Sequence, residues 1–227
     1  QDHERISDEA TESLRAIVAA DQSFHKNYFK KLEKEVKAAG KAAKHAGNKV
    51  SETVSHTEFS SVVHNFVRQM LLSLKADAAA DEAIASLKRG EKPVIAVENT
   101  MGSFLNAYAS ENHLSVGDSL GDYDYRAVLM RALERTRYVR MKDQKGDEKR
   151  VYVSKSELDP VSREAYDEAE RVIEKMVAEI PSSPIDWIRH RIEEAGYSVK
   201  EITGRDQTVD YADPDNPKLG RIDASEK

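Results

Sequence analysis

Two short apolar runs, each closing on polar residues and a glycine, constrain this chain more than any other feature. The first is K-P-V-I-A-V-E-N-T-M-G at 92–102, and the second is S-P-I-D-W-I-R-H-R-I-E-E-A-G-Y-S-V-K-E-I-T-G-R at 183–205; about 80 residues separate them. Val94 to Val97 is a continuous apolar run after Pro93, the pattern of a buried parallel strand. In the second segment Ser183 is placed to cap a helix, with Pro184 at its first position and Asp186 three residues after the cap. Ile185, Ile188 and Ile192 make its buried stripe, Gly196 is the expected left-handed stop, and Val199 to Ile202 reads as a second short strand. Strand, helix and strand with polar residues at the strand ends is the arrangement in which open α/β sheets hold ligands.

Composition narrows the alternatives. A chain of 227 residues fits one large or two small domains. One third of it is charged and 39% is hydrophobic, with one Trp and five Phe, which suits a polar, helix-rich fold. The absence of cysteine excludes disulfides, thiolate metal sites and cysteine nucleophiles. No apolar run reaches the roughly 20 residues needed to span a bilayer, so no membrane partner is expected and a cytoplasmic location is the default. The opening Q-D-H-E is neither a signal peptide nor an initiator, and a piece of a longer chain is expected. The net charge of −6 argues against a protein that coats nucleic acid, though not against a local basic contact.

The chain before the first run reads as helical. Ser7 is placed as an N-cap for a helix to about Lys37, with Leu14, Ile17, Val18, Phe24, Tyr28, Leu32 and Val36 at helical spacing. The basic, Ala-rich stretch from Lys37 to Lys49 reads as a solvated connector. Ser55 and Glu58 form a capping-box pattern ahead of the apolar face Phe59 to Leu74, and 77–87 reads as a third helix ending at Lys88-Arg89-Gly90. Between the two runs, Gly102 to Ala109 begins a helix, Asn112 to Tyr125 is loop-like, and Tyr125 to Arg135 and Ser162 to Ala178 are helical. Residues 136–141 and 149–154 alternate as a hairpin. Beyond Arg205, two prolines and repeated aspartates predict an exposed, partly disordered tail.

Motifs with chemistry are scarce. The seven histidines show no HExxH spacing, and there is neither a GxxxxGK[ST] loop nor a GxSxG elbow. Two clusters remain. Glu98, Asn99, Thr100 and Gly102 fall at a strand terminus, where polar atoms and a glycine can face a crevice; a strand-ending turn that caps the next helix explains the same residues. Thr203, Gly204 and Arg205 offer a hydroxyl, a flexible residue and a cation suited to phosphate, and equally describe an ordinary turn.

K-P-V-I-A-V-E-N-T-M-G-S-F-L followed by S-P-I-D-W-I-R-H-R-I-E-E-A-G-Y-S-V-K-E-I-T-G-R resembles the second RecA-like lobe of superfamily 2 helicases, closest to the strawberry-notch-like helicase C-terminal type found in bacterial, phage and plasmid proteins. The match spans about 150 residues when drawn generously. It implies an α/β, helix-rich fold: a partial RecA-like lobe with a small parallel sheet. Residues 91–110 and 183–205 would form the core, 1–90 a region of long N-terminal helices, 111–182 an inserted helical and β-hairpin subdomain, and 206–227 the tail. Val94 to Thr100 takes the place of helicase motif IV. By position, Glu98, Asn99, Thr100 and Gly102 would lie near a nucleic-acid backbone, with Thr203, Gly204 and Arg205 at the neighbouring strand end. The first lobe, with its Walker motifs, and the later Arg-rich motif are absent. The resemblance therefore implies a fragment that is not catalytic alone and holds no cofactor. ATP and Mg would belong to the full-length protein, and the partners would be DNA or RNA backbone and the missing first lobe of the parent chain.

The hairpin within the insertion is locally basic. Nine Lys or Arg stand against four Asp or Glu between Arg131 and Lys155, with Tyr138 and Tyr152 interleaved. Arg137, Arg140, Lys149 and Arg150 are the residues expected to meet a nucleic-acid backbone there; a solvated hairpin with its tyrosines laid over an adjacent helix is the structural alternative. Two functions thus stand: a nucleic-acid-contacting part of a helicase-like NTPase, or a non-catalytic helical protein-interaction or scaffold module. The first requires Val94–Val97 and Val199–Ile202 to be adjacent parallel strands joined by a right-handed crossover.

Overall fold

A computed structural model describes residues 2–45, 53–56, 60–98, 100, 102–142, 148–176 and 180–222. The chain is helix-rich and carries two small antiparallel sheets. It divides into two compact units, one of Gln1–Val63 with Leu129–Val177 and the other of His64–Val128 with Ala178–Lys227.

In the first unit, α1 (Asp2–Ser23) continues through a π-helical turn (Phe24–Phe29) into α2 (Lys30–His45). Ile6, Ala10, Ser13, Ile17, Ala20 and Phe24 are buried, at steps of four and three residues that lay a narrow stripe along one helix face. That helix packs against α7 (Pro160–Lys175; α3 to α6 follow below), which buries Ser162, Tyr166, Ala169 and Ile173 at matching spacing. Asp159 caps α7, accepting from the Val161 and Ser162 amides at 3.1 and 3.0 Å, and Pro160 begins the helix. A three-stranded antiparallel sheet completes the unit: β1 (Thr53–His56), β2 (Tyr138–Lys142) and β3 (Glu148–Tyr152), in that order. The hairpin expected from alternation is therefore present as β2 and β3.

Three expectations about this region change. Ser7 does not cap α1, because the helix begins at Asp2 and its stripe extends back to Ile6. Ser55 lies in β1, not ahead of a helix; α3 (Ser60–Leu74) starts later, and Glu58 lies outside the described residues. The Ala-rich stretch from Lys37 stays helical to His45, since alanine and lysine favour helix strongly enough to carry Gly40; residues 46–49 lie outside the described residues.

The second unit contains α4 (Ala76–Lys88), α5 (Gly102–Glu111), α8 (Pro184–Glu194) and the antiparallel hairpin β4 (Gln207–Asp210) with β5 (Lys218–Arg221); α6 (Tyr125–Arg135) begins in it. Ala76, Ala80 and Ala83 line the buried face of α4. Their small side chains let Ile188 and Ile192 of α8 pack close. A second cluster joins Leu105 and Ala109 of α5 to Leu120, Tyr123, Val209, Tyr211 and Leu219. Trp187 packs against both clusters, with its ring edge-on to Tyr211 at 5.3 Å and its indole N–H donating to Asp77 at 2.8 Å.

This unit overturns the parallel sheet and the exposed tail. Neither 94–97 nor 199–202 is a strand, and Val94 and Ile202 are 93% and 96% exposed. A parallel strand needs a partner for its backbone and cover on both faces, and the described chain supplies neither. Conversely, 206–222 is ordered: Val209, Leu219 and Ile222 are buried, so a few apolar residues suffice when they close a cluster built by other segments. Gly90 and Gly196 are left-handed, at φ 79° and 88°, and stop α4 and α8 as their sequences predict.

Replacing Ala80 by Leu should overpack the α4–α8 contact and destabilise the second unit by about 1–3 kcal/mol. Trp187, the chain's one tryptophan, reports on that unit alone, so the urea midpoint of its fluorescence should fall without a change in slope.

Candidate nucleic-acid interface

Period-2 alternation gives the β2–β3 hairpin two unlike faces. Tyr138 pairs with Tyr152, Arg140 with Arg150 and Lys142 with Glu148, which places these six residues on one face. The opposite face carries the Val139–Val151 and Met141–Lys149 pairs, and Val139 is buried. On the polar face the Tyr138 and Tyr152 rings meet at 5.1 Å, tilted by 52°. The Arg150 guanidinium lies 5.6 Å from the Tyr138 ring centre, within cation–π range. Arg140 Nη1 reaches Glu148 Oε1 at 3.4 Å. Arg140, Glu148 and Arg150 line an open pocket of about 260 Å³. Among the described residues, Lys149 and Arg150 make no ion pair. Like charges directly opposite each other on neighbouring strands are destabilising, and Arg140 with Arg150 is such a pair.

Arg137 has a different place. It is buried, its guanidinium lies 4.8 Å from the Tyr152 ring centre and 5.3 Å from that of Tyr166, and Nη1 donates to the Val153 carbonyl at 3.5 Å. It braces Tyr152 from beneath rather than facing solvent with Arg140, Lys149 and Arg150. Tyr152 remains 43% exposed.

The second unit brings together the two other clusters read from the sequence. A Cβ on Gly102 would stand 3.0 Å from Arg205 Cβ and 3.4 Å from Thr100 Oγ1, so the closest approach to this glycine is that of the Arg205 side chain. Glu98 is exposed and paired with Arg68. Asn99 lies outside the described residues. Gly204 is exposed and has open space where a Cβ would stand.

Arg205 is enclosed by carboxylates. Its side chain is 2% exposed, with Nη1 and Nη2 donating to Asp186 at 2.8 and 2.6 Å, and Nε and Nη2 donating to Glu201 at 2.7 and 2.8 Å. Asp186 also accepts from Ser183 Oγ at 2.5 Å and from the Val209 amide at 2.8 Å. Glu201 accepts from Arg189 Nη2 at 2.8 Å and Thr203 Oγ1 at 2.5 Å. Two carboxylates and two guanidiniums balance. Burial alone would raise the Glu201 carboxyl, but hydrogen bonds from Arg205 and Thr203 and the charges of Arg205 and Arg189 outweigh it and hold Glu201 below its ordinary range. Burial likewise opposes the Arg205 charge, and the hydrogen bonds of Glu201 and Asp186 overcome it, so the guanidinium is still harder to deprotonate than usual. Thr203 and Arg205 therefore serve this network, and a phosphate would have to displace two carboxylates to reach Arg205.

Asp186 and Glu201 are the partners that motif reading misses. Asp186 stands in the sequence as a helix-start acid, and Glu201 as an acid in an apolar run four residues before Arg205. That spacing is the one signal the sequence offers. Among the described residues no His, Asp or Glu group is placed to hold a metal, and no helix is long and apolar enough to cross a membrane. No family model, curated protein or solved structure matches the chain.

A group held below its ordinary pKa stabilises the fold above the unfolded value and loses that contribution as pH falls through the folded value. Acidification below the ordinary glutamate value of 4.5 should therefore lower the urea midpoint reported by Trp187. Glu201→Gln should flatten that acid limb while costing stability at neutral pH, because it leaves Arg205 buried with half its partners.

Proposed function

We propose that this chain is the nucleic-acid-contacting portion of a helicase-like, nucleic-acid-dependent NTPase, acting through the β2–β3 hairpin and not catalytic by itself. The observation that carries the proposal is the Arg140–Arg150 pair. Two cations face each other across adjacent strands, beside a partly exposed tyrosine pair, with Glu148 to offset them. A polyanion resolves that repulsion, and an aromatic pair on the same face gives bases a surface on which to stack. The binding set on this face is Arg140 and Arg150, with Lys142 and Tyr152 beside them; Lys149 adds positive charge from the opposite face of β3, and Arg137 supports Tyr152.

The helicase half of the proposal rests on the resemblance of 92–105 and 183–205 to the second lobe of superfamily 2 enzymes. A RecA-like lobe would need 94–97 and 199–202 to pair as parallel strands, within a longer chain that supplies the rest of the sheet, ATP and Mg. In the described chain the two segments do not pair, and Arg205 is enclosed by carboxylates. Those two observations count against a RecA-like lobe and leave the hairpin contact to stand on its own residues; the second reading is a helical protein-interaction module without nucleic-acid contact.

Anisotropy of labelled single-stranded and forked DNA across a salt series separates the two. On the proposal, binding weakens as salt rises, and Arg140→Ala, Lys149→Ala and Arg150→Ala together abolish it at moderate salt. Each substitution that removes a cation from a phosphate should lower the log–log salt slope by about 0.7 for a single strand. Absence of binding at low salt would leave the interaction module.

A further inference from the structure

Among the described residues of β2 and β3 Glu148 is the one acid, and its geometry is that of a loosely held counter-ion. In register it stands opposite Lys142, yet its ion pair is with Arg140, across the diagonal. The N–O separation is 3.4 Å, against roughly 2.7–2.9 Å for a well-made charge-assisted hydrogen bond. Both side chains are about two-fifths exposed, at 41% and 42%, a setting in which ion pairs contribute little. Among the described residues, Arg140, Glu148 and Arg150 also line the 260 Å³ pocket. That is several times the ~30 Å³ share of a liquid water molecule, room for a phosphate group with part of its hydration.

We propose that Glu148 is an internal competitor that sets the affinity of this face for a phosphodiester. An arriving phosphate takes Arg140 from Glu148 and sits between Arg140 and Arg150, while the displaced carboxylate turns to Lys142, directly opposite it on β2. The exchange leaves no charge buried or unpaired, but each binding event loses the Glu148–Arg140 attraction. This inference rests on the nucleic-acid reading above and adds to it a residue of the hairpin that weakens binding.

The experiment is anisotropy of the full chain with a fluorescein-labelled oligothymidylate in low and moderate salt, with folding of each variant checked by circular dichroism. Glu148→Gln should bind about 1.5- to 5-fold more tightly than the natural sequence, the range expected when one exposed ion pair no longer has to be broken. In an Arg140→Ala background the same substitution should change affinity far less, because the competed-for cation is gone. Glu164→Gln, which removes an exposed acid from α7 elsewhere in the same unit, controls for net charge and should leave affinity unchanged. Equal tightening by Glu164→Gln, or no tightening by Glu148→Gln, overturns the inference. If binding nevertheless disappears on replacing Arg140 and Arg150, the nucleic-acid reading stands without it. If the natural sequence does not bind the oligonucleotide at all, that reading falls and the inference falls with it.

Discussion

The second unit is organised around one buried cation. Arg205 draws Asp186 from the first turn of α8 and Glu201 from the segment after it, while Asp186 holds the Val209 amide within β4. Three stretches of chain that share no strand are thereby fixed to one guanidinium. Gly102, at the start of α5, lies close against Arg205, where an added Cβ would crowd it at 3.0 Å. A planar fork with five donors suits this task, since it satisfies two carboxylates at once, where an ammonium would present a point charge. Such a network is not a net source of stability compared with a well-packed apolar core. Its effect is geometric: the position of α8 relative to β4 follows from where the carboxylates must meet the guanidinium, and Trp187 on α8 then reaches both apolar clusters.

The first unit solves a different problem. Its helices bury a narrow stripe of mostly small and medium side chains, and its hairpin turns Val139, Val151, Met141 and Lys149 to one face and two tyrosines, Arg140, Arg150, Lys142 and Glu148 to the other. Burial of Val139 dictates the register, and the pleat then leaves no freedom over what the opposite face displays. The facing arginines are a consequence of that register. Arg137, one residue before β2, is folded under Tyr152 and Tyr166 instead of joining them. The same residue type thus braces the aromatic surface from below and supplies its charge from above.

Enclosure of Arg205 moves the expected nucleic-acid contact from one part of the chain to another. A Thr-Gly-Arg turn at a strand end is a fair candidate for phosphate while its arginine is free, and a poor one once two carboxylates already satisfy the guanidinium. The basic hairpin has the opposite balance. Among the described residues it holds more cations than acids, and Arg140, Lys149 and Arg150 have no buried partner. Electrostatics therefore favours the hairpin as the surface open to a polyanion.

Local signals decided much of the architecture. The α4 and α8 stops at Gly90 and Gly196, the helix from Pro184, the helix at 102–111 and the β2–β3 hairpin were all legible, because glycine, proline and period-2 alternation act over a few residues. The basic character of the hairpin was legible too, but not which of its cations share a face: Lys149 lies on the side opposite Arg140 and Arg150, and Arg137 is buried. What the sequence could not convey was partnership at a distance. Val94–Val97 has the composition of a strand, but a strand exists only where another backbone accepts its hydrogen bonds, and the described chain has none there. The stretch after Arg205 looks too polar to fold, yet Val209, Leu219 and Ile222 are buried, two of them in a cluster made with α5 and the loop after it. Arg205 reads as a free cation until Asp186, nineteen residues away, is brought to 2.6 Å. Sequence determined which residues were cationic, apolar or turn-forming; tertiary structure decided which of those charges were already neutralised, because neutralisation depends on distances that only the packed chain defines.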